Sequence, residues 1–495
     1  MTLGLVLSLV TSALIGLLTL RCAWRRPTGL WRSRLLAGVL AVGIGLGLSS
    51  SAFFVWLALF RAPGSRFPSL EVAVVVLLAG VALYASKIRR SETLPPGPGG
   101  PAAVTDTHPW LALTLGLCVA CAAIAFLVQS AASPQGDWDA WMTWNMHARA
   151  IFRGGDHWRE VLTGLPAWSH PDYPLLVPGA VARIWAYGGE ESVLAPASVA
   201  MLFTFATVGL LYSAVSILRS PTQGVLAALL LVGTKFFILD GASQYADIPL
   251  AFFLLATLVL LALSEVWPAD RPRLLLLAGV TAGLAAWTKN EGLVFLLAVP
   301  ISHGLVIGRA RGWRAALGDG RAFATGLAPV LVLILGYKLW LAPPNDLMAD
   351  HGWRQTASRL LDGTRYVQVL AGFAHAFLEI SARGIVGLLL LAYWLVAGPA
   401  AGGPARLGAK TAALVVLLAL AGYGVVLLTA PAPLLATNIR SINRLLLQVW
   451  PSTLFAYFLG VRTAEEAGAL GQRVRPVTSG ATSTGSLPHT LGRGS

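Results

Sequence analysis

The feature that most constrains this chain is its succession of long apolar blocks, many of which approach the roughly 20 residues that cross a bilayer as a helix. Residues 3–20, 35–60 and 110–130 are three of these blocks. Hydrophobic residues make up 56% of the 495 residues and charged residues 12%, whereas a soluble domain carries about a quarter charged residues. Because so little charge cannot cover a soluble globule, the sequence predicts an all-α polytopic membrane protein.

Basic residues between the apolar blocks predict the orientation of the chain, since Lys and Arg collect in cytoplasmic loops. Arg21, Lys87, Arg219, Arg273 and Arg406 all lie between blocks. They place the N-terminus outside and the C-terminus inside, and loops of this kind explain the net charge of +14 without a nucleic-acid partner. About 13 spans are predicted: 3–20, 35–60, 70–86, 110–130, 193–218, 225–239, 248–264, 274–288, 292–308, 322–342, 384–399, 411–430 and 445–461.

One short apolar segment, residues 175–187, does not fit this series because it contains Arg183. If it crossed the membrane, the later basic loops would move to the outer side. We therefore interpret it as an interfacial or partly embedded helix. The sequence shows no strict internal repeat and no convincing pair of broken helices, which argues against an inverted-repeat transporter.

The predicted loops divide the chain into three parts. Residues 1–109 form an N-terminal extension of three spans and a cytoplasmic loop rich in Pro and Gly. Residues 110–461 form the membrane core, and residues 462–495 are expected to be a disordered cytoplasmic tail. The larger outer loops of the core are 131–174, 343–383 and 431–444.

Two acidic residues, Asp137 and Asp139, follow the span at 110–130 and alternate with tryptophans. An aromatic belt at the headgroup level explains the tryptophans, but it explains a pair of acids at the membrane surface less well. At the N-terminus of an interfacial helix, the helix dipole stabilises the charge of a carboxylate. Such a pair can supply a general base, or it can bind a divalent cation such as Mg²⁺ or Mn²⁺.

Other polar clusters also lie at predicted outer helix ends. Each alone is explained as a rigid turn, a helix cap or a snorkelling side chain. Together on one side, cations that face acids suit an anionic headgroup such as a phosphate or pyrophosphate. The residues predicted to bind substrate or phosphate are His170, Asp172, Tyr173, Asp247, Lys289, Asn290, Glu291, Arg440 and Arg444.

The order of these motifs resembles the GT-C superfamily of integral membrane glycosyltransferases. The resemblance is greatest to the bacterial branch related to protein O-mannosyltransferases and lipid A aminoarabinose transferases. It covers roughly residues 110–451, so that the core would be a GT-C-like bundle with helical extracytoplasmic loops. The motifs that carry it are 137–140 (DWDA), 170–174 (HPDYP), 245–249 (YADIP), 287–292 (WTKNEG) and Arg444.

The resemblance implies an inverting transfer of a sugar from a polyprenyl-phosphate donor to a glycan, lipid or protein acceptor. It places the reaction on the extracytoplasmic face of the plasma (inner) membrane. It also implies that Asp139 is the catalytic base, with Asp137 as its competitor. A leaving phosphate needs stabilisation by cations, for which Lys289, Arg440 and Arg444 are the candidates. The family motif is often Asp-Glu, whereas this chain has Asp-Trp-Asp, which leaves open both the identity of the base and the need for a metal.

Two other classes of protein remain as alternatives. A ligase or polymerase of lipid-linked glycans uses similar substrates and is the nearest competitor. A transporter or flippase would place ionisable residues or broken helices in the middle of the membrane.

Overall fold

The computed structural model describes residues 2–24, 31–60, 66–90, 108–344, 352–400, 402–403, 405–439, 441–463 and 465–467. Helices dominate this part of the chain, and it contains no β-strand beyond an isolated bridge between Pro399 and Val461. The α-helices are α1 Thr2–Ala23, α2 Trp31–Phe60, α3 Phe67–Arg90, α4 Pro109–Ala132, α5 Asn145–Gly154, α6 Trp158–Thr163, α7 Leu176–Gly188, α8 Leu194–Leu218, α9 Pro221–Val232, α10 Lys235–Ala242, α11 Asp247–Val266, α12 Arg271–Thr288, α13 Glu291–Arg311, α14 Trp313–Trp340, α15 Trp353–Leu361, α16 Gly363–Ile380, α17 Ile385–Ala397, α18 Ala405–Thr429, α19 Ala432–Ile439 and α20 Ile442–Gly460.

Many of these helices are long and apolar enough to cross a membrane. In the described residues there are nine, or up to eleven if each of two bent helix pairs is one span. The nine lie in α1, α2, α3, α4, α8, α11, α13, α14 and α18. The predicted class, an all-α polytopic membrane protein, is confirmed, while the number 13 stays a prediction.

The two bent pairs correct the prediction that the chain has no broken helices. Helices α9 and α10 meet at 61°, and α16 and α17 meet at 83°. In the first pair, Thr234 has an extended backbone, which ends the helical path after Gly233. In the second pair, Ala382, Arg383 and Gly384 all have positive φ angles, so the chain turns by about a right angle instead of continuing as a helix.

Helix α7, the segment predicted to lie at the interface, is enclosed by protein. Its 13 residues reach about 20 Å, which is short of the roughly 30 Å of a bilayer core. Arg183 is buried, and its guanidinium lies 2.6 Å from the Glu71 carboxylate of α3. It also donates to the Ser8 carbonyl of α1 at 3.0 Å. The charge that made this segment exceptional is therefore paired inside the helical bundle.

Helix α11 lies at the centre of the helical bundle, and its two ends serve to name the two ends of the molecule. It is buried from Asp247 to Glu265, and its 20 residues span about 30 Å. Arg444, near the start of α20, binds Asp247. At the far end of α20, the Val461 carbonyl accepts a hydrogen bond from Arg219 at 2.8 Å. We call these the Asp247 end and the Glu265 end.

The start of the segment 462–495, expected to be a disordered tail, contacts the Glu265 end. The Gln223 amide donates to the Arg462 carbonyl at 2.9 Å, and Arg219 pairs with Glu466 at 2.8 Å. The rest of that segment lies outside the described residues.

Candidate active site

Asp247 is the centre of a buried ionic cluster. Its side chain is 0% exposed and begins helix α11, where the helix dipole favours a negative charge. One carboxylate oxygen accepts from Lys289 at 3.0 Å and from Gln448 at 2.6 Å. The other accepts from Arg444 Nη2 at 2.7 Å and Nε at 3.1 Å. Both oxygens are therefore committed, and Asp247 holds two cations in place.

Lys289 lies in the short turn between α12 and α13, where the backbone is extended. Its ammonium also pairs with Glu291 at 2.7 Å. Burial alone would lower the pKa of Lys289, but the charges of Asp247 and Glu291 outweigh it and raise the pKa above its usual value. Lys289 therefore stays a cation over the whole physiological pH range.

Arg444 joins this buried pair to the first predicted outer loop. Its Nη1 lies 2.6 Å from Asp139 Oδ2, and its guanidinium lies 4.5 Å from the ring centre of Tyr245. The Asp139 side chain is 31% exposed. The structure thus brings together five predicted residues, which we call the Asp247 cluster: Asp139, Asp247, Lys289, Glu291 and Arg444.

Asp137 is exposed and has a different role in the loop. Its carboxylate accepts the backbone N–H of Trp138 at 2.7 Å, and its own N–H donates to the Ser243 carbonyl at 3.2 Å. The π-helical turn Ala140–Trp144 follows directly after Asp139. Of the two acids, Asp139 is the one that the structure joins to the cations.

A second network supports the turn that carries Lys289. The Asn290 amide donates to the Asp172 carboxylate at 2.8 Å, and Lys338 donates to the Asn290 side-chain oxygen at 2.8 Å. Lys338 also donates to the Asp172 carbonyl at 2.6 Å. Through these bonds, Asp172 and Asn290 hold the backbone of the turn in which Lys289 lies, next to Asn290.

His170 and Tyr173 lie on the same loop as Asp172. Their rings stack at 4.8 Å, and Trp144 stacks on the other side of Tyr173 at 5.6 Å. The Tyr337 hydroxyl lies 2.9 Å from the Tyr173 carbonyl and helps to hold this loop. Burial raises the pKa of Tyr173, so the phenol stays protonated.

Sequence reasoning missed several residues of the site. Gln448 lies one helical turn after Arg444 on α20, so the i, i+4 spacing was the signal that it faces Asp247 too. Tyr423 donates to Gln448 at 3.2 Å, and nothing in its apolar surroundings in the sequence indicated this. Lys338 was visible only as an isolated charge near a helix end. Arg440, predicted to bind phosphate, lies outside the described residues.

A group of three residues that could bind a metal ion lies away from the Asp247 cluster. In the described part of the chain, Glu265, His303 and Asp319 offer ligand atoms within 4.8 Å of one another. They lie at the Glu265 end, where Arg271 and Arg311 already pair with both acids at 2.9–3.3 Å. We call these five residues the Glu265 cluster. A divalent cation at Asp137 and Asp139 stays a prediction.

Comparison with known proteins gives one match. Residues 172–340, about a third of the chain, match the family model described as dolichyl-phosphate-mannose-protein mannosyltransferase. The matched stretch contains Asp172, Asp247, Lys289 and Lys338, while Asp139 and Arg444 lie outside it. The resemblance to the GT-C superfamily is confirmed for this stretch. Neither a curated protein nor a solved structure matches the chain significantly.

Proposed function

We propose that the chain is a membrane glycosyltransferase of the GT-C superfamily, to which residues 172–340 are similar, and that it transfers a sugar from a polyprenyl-phosphate donor with inversion at the anomeric carbon. The observation that carries the proposal is the link from the partly exposed Asp139 through Arg444 to the buried Asp247 and Lys289. It places an acid that can accept a proton next to cations that can stabilise a departing phosphate.

The two halves of the cluster would act on the two bonds that change. Asp139 takes the proton of an acceptor hydroxyl, whose oxygen forms a bond to the anomeric carbon. The bond from that carbon to the phosphate oxygen breaks, and its electron pair leaves with the phosphate. Attack from the face opposite the leaving group inverts the anomeric centre. Arg444 and Lys289 stabilise the charge that develops on the phosphate.

Arg444 would also order the binding of the two substrates. Asp139 Oδ2 is ion-paired with Arg444 at 2.6 Å, so the oxygen that would take the proton is already engaged. A donor phosphate competes for the same guanidinium nitrogen and releases the Asp139 carboxylate. Donor binding therefore prepares the base, and the acceptor follows.

The charge balance bears on the need for a metal. The Asp247 cluster contains three acids and two cations, so an arriving phosphate needs further positive charge. Arg440, four residues before Arg444 in the sequence, is one source. A divalent cation held by Asp137 and Asp139 is the other, since Mg²⁺ often binds one or two carboxylates together with a substrate phosphate.

We place the reaction on the extracytoplasmic face of the plasma (inner) membrane. The Glu265 end carries Arg219, Arg271 and Arg311, whereas the acidic loop with Asp139 lies at the Asp247 end. Because arginines mark the cytoplasmic side, this distribution supports an outward-facing Asp247 end. Cysteine labelling tests it: Asp156→Cys should react with an impermeant reagent in intact cells and Arg309→Cys should not.

The function is tested by supplying purified protein with a polyprenyl-phosphate-linked sugar or with a nucleotide sugar. We expect transfer and release of polyprenyl phosphate from the first donor alone, and an inverted anomeric configuration in the product by NMR. Transfer from the nucleotide sugar alone would reject the donor class, and retention would reject the single displacement. Loss of transfer on treatment with EDTA, restored by Mg²⁺ or Mn²⁺, would select the cation over Arg440.

A ligase or polymerase of lipid-linked glycans stays the nearest alternative, and the acceptor used in the same assay distinguishes it. The two bent helix pairs favour a transporter as a second candidate, because discontinuous helices build many transport sites. The charged cluster, however, surrounds the N-terminus of α11 and not either bend. Movement of a labelled polyprenyl-phosphate sugar across vesicles without transfer would support transport.

A further inference from the structure

A groove of about 820 Å³ lies between α16 and α19 and reaches the start of α20. One wall is apolar and comes from Leu435, Ala436 and Ile439 of α19. Opposite it, Gly372 of α16 approaches α20 so closely that a Cβ atom would lie 2.7 Å from Ile442 Cδ1. Its volume is within the roughly 300–1,000 Å³ of sites that bind small ligands.

The other wall is polar, and its groups both donate and accept hydrogen bonds. Gln368, His375 and Glu379 follow one face of α16, and Asn443 closes the end of the groove. The His375 ring lies 3.8 Å from the Glu379 carboxylate. A ligand with many hydroxyl groups can use donors and acceptors of this kind at once.

The remaining charges of the groove are already engaged. Arg365 donates to the carbonyl oxygens of Leu427 and Ala430 at the end of α18. The Asp362 carboxylate accepts from the Thr364 backbone N–H at 2.9 Å and caps α16. With Arg365 turned to carbonyls and Glu379 on the polar wall, the described lining residues are unsuited to a phosphate, which is better placed against Lys289 and Arg444.

The groove ends at Asn443, the residue before Arg444 in α20. The Asn443 side-chain oxygen accepts the backbone N–H of Arg444 at 2.9 Å, and Arg444 pairs with Asp139 at 2.6 Å. A ligand that fills the groove therefore has one end near the turn of α20 that carries Arg444, a member of the Asp247 cluster.

We propose that this groove binds the acceptor and that the acceptor is a saccharide. The inference rests on the proposed glycosyltransferase function and names the acceptor class that it left open. The polar wall hydrogen-bonds the sugar hydroxyls, while the α19 wall packs against the C–H groups of the rings. Two common modes of peptide binding fit the groove less well, because its described walls present no strand edge and only one of them is apolar. The described walls are helices, whose backbone N–H and C=O groups already bond to each other within the helix. Only the polar side chains of one wall are left to hydrogen-bond a ligand.

The experiment measures transfer from a polyprenyl-phosphate-linked sugar to a panel of di- and trisaccharide methyl glycosides and to a panel of Ser- and Thr-containing peptides. Ala436 is exposed in the groove, so Ala436→Trp fills it without disturbing the core. We expect the KM for the saccharide acceptor to rise at least tenfold, while donor hydrolysis in the absence of acceptor is unchanged. Ala374→Trp, at an exposed position of α16 outside the groove lining, should change neither.

Gln368→Leu provides a second variant that retains the volume of the groove and removes hydrogen bonds, and we expect its acceptor KM to rise about threefold to tenfold. An unchanged KM in both groove variants, or transfer to peptides and not to saccharides, would overturn the proposal. If wild-type protein neither hydrolyses the donor nor transfers its sugar, the proposed function itself fails. Donor hydrolysis with no effect of the groove variants on transfer rejects the acceptor site alone.

Discussion

The two ends of helix α11 each hold a cluster of buried charge, and the two clusters differ in which member is exposed. In the Glu265 cluster, two acids face two arginines. Both acids are at most 9% exposed, and the exposed member is a cation, Arg311, at 30%. In the Asp247 cluster, three acids face two cations, and Asp139 remains 31% exposed. We propose that the functional site is the cluster in which an exposed acid is joined to buried cations beside a groove, and that the Glu265 cluster is structural.

The largest difference between the two clusters is expected in the transfer rate when one arginine of each cluster is replaced. Arg444→Lys retains a positive charge but loses the planar fork that holds Asp247 and Asp139 together. We expect transfer to fall about 10²–10³-fold, as for the loss of one group that stabilises transition-state charge. Arg311→Lys is the matched change in the Glu265 cluster, and its transfer rate should stay near that of the wild type. Equal losses in both variants would show that the two clusters serve the same purpose.

Removal of a charge from the Glu265 cluster should affect stability and not chemistry. Glu265→Gln leaves Arg271 and Arg311 with Asp319 as their remaining acid, and the loss of a charged hydrogen bond costs about 1.5–3 kcal/mol. Denaturant unfolding in detergent measures this loss of unfolding free energy. The kcat of the folded fraction should be unchanged, and a large fall in kcat would contradict a purely structural role.

The network around Asn290 should have a smaller effect. Lys338→Met removes the donor to the Asn290 side-chain oxygen and to the Asp172 backbone carbonyl, and so loosens the turn that carries Lys289. Loss of a charged hydrogen bond costs about 1.5–3 kcal/mol, and we expect at least a tenfold rise in the KM for the donor. Rescue by Lys338→Arg would support a positioning role, whereas an unchanged KM would exclude it.

The last expected effect is confined to acidic pH. His147 on α5 is buried near Asp172, and burial lowers its pKa to about 4. Below about pH 6.5 the unfolded chain binds a proton at this position that the folded protein does not, so the unfolding free energy falls as the pH falls toward 4. The slope is about 1.4 kcal/mol per pH unit. His147→Phe should lack this part of the slope between pH 6.5 and 4, and an identical profile would contradict it.

Much of the fold was predictable because apolar blocks and basic loops report membrane helices directly. The grouping of Asp139, Asp247, Lys289 and Arg444 followed from their predicted positions on one side of the membrane. The breaks of α9 and α16 were not predicted, since they depend on backbone angles that an apolar sequence does not reveal.

The sequence did not predict that α7 is buried within the helical bundle, and the reason is different. Arg183 reads as an interfacial charge until Glu71, more than a hundred residues earlier, is known to face it. Gln448 and Tyr423 likewise gain a role only from helices that pack against each other. Local patterns predict which segments form helices, whereas long-range pairing decides which of their polar residues meet.

The central claim is that Asp139 is the base that the Asp247 cluster holds in place. The direct test is single-turnover transfer from a polyprenyl-phosphate-linked sugar by Asp139→Asn and by Asp137→Asn, with donor binding measured in both. We predict that Asp139→Asn loses about 10²–10⁴-fold in rate, the contribution of a general base, while it still binds the donor. Asp137→Asn should stay within about tenfold of the wild type, unless EDTA has shown a metal requirement. Wild-type transfer by Asp139→Asn would contradict the account.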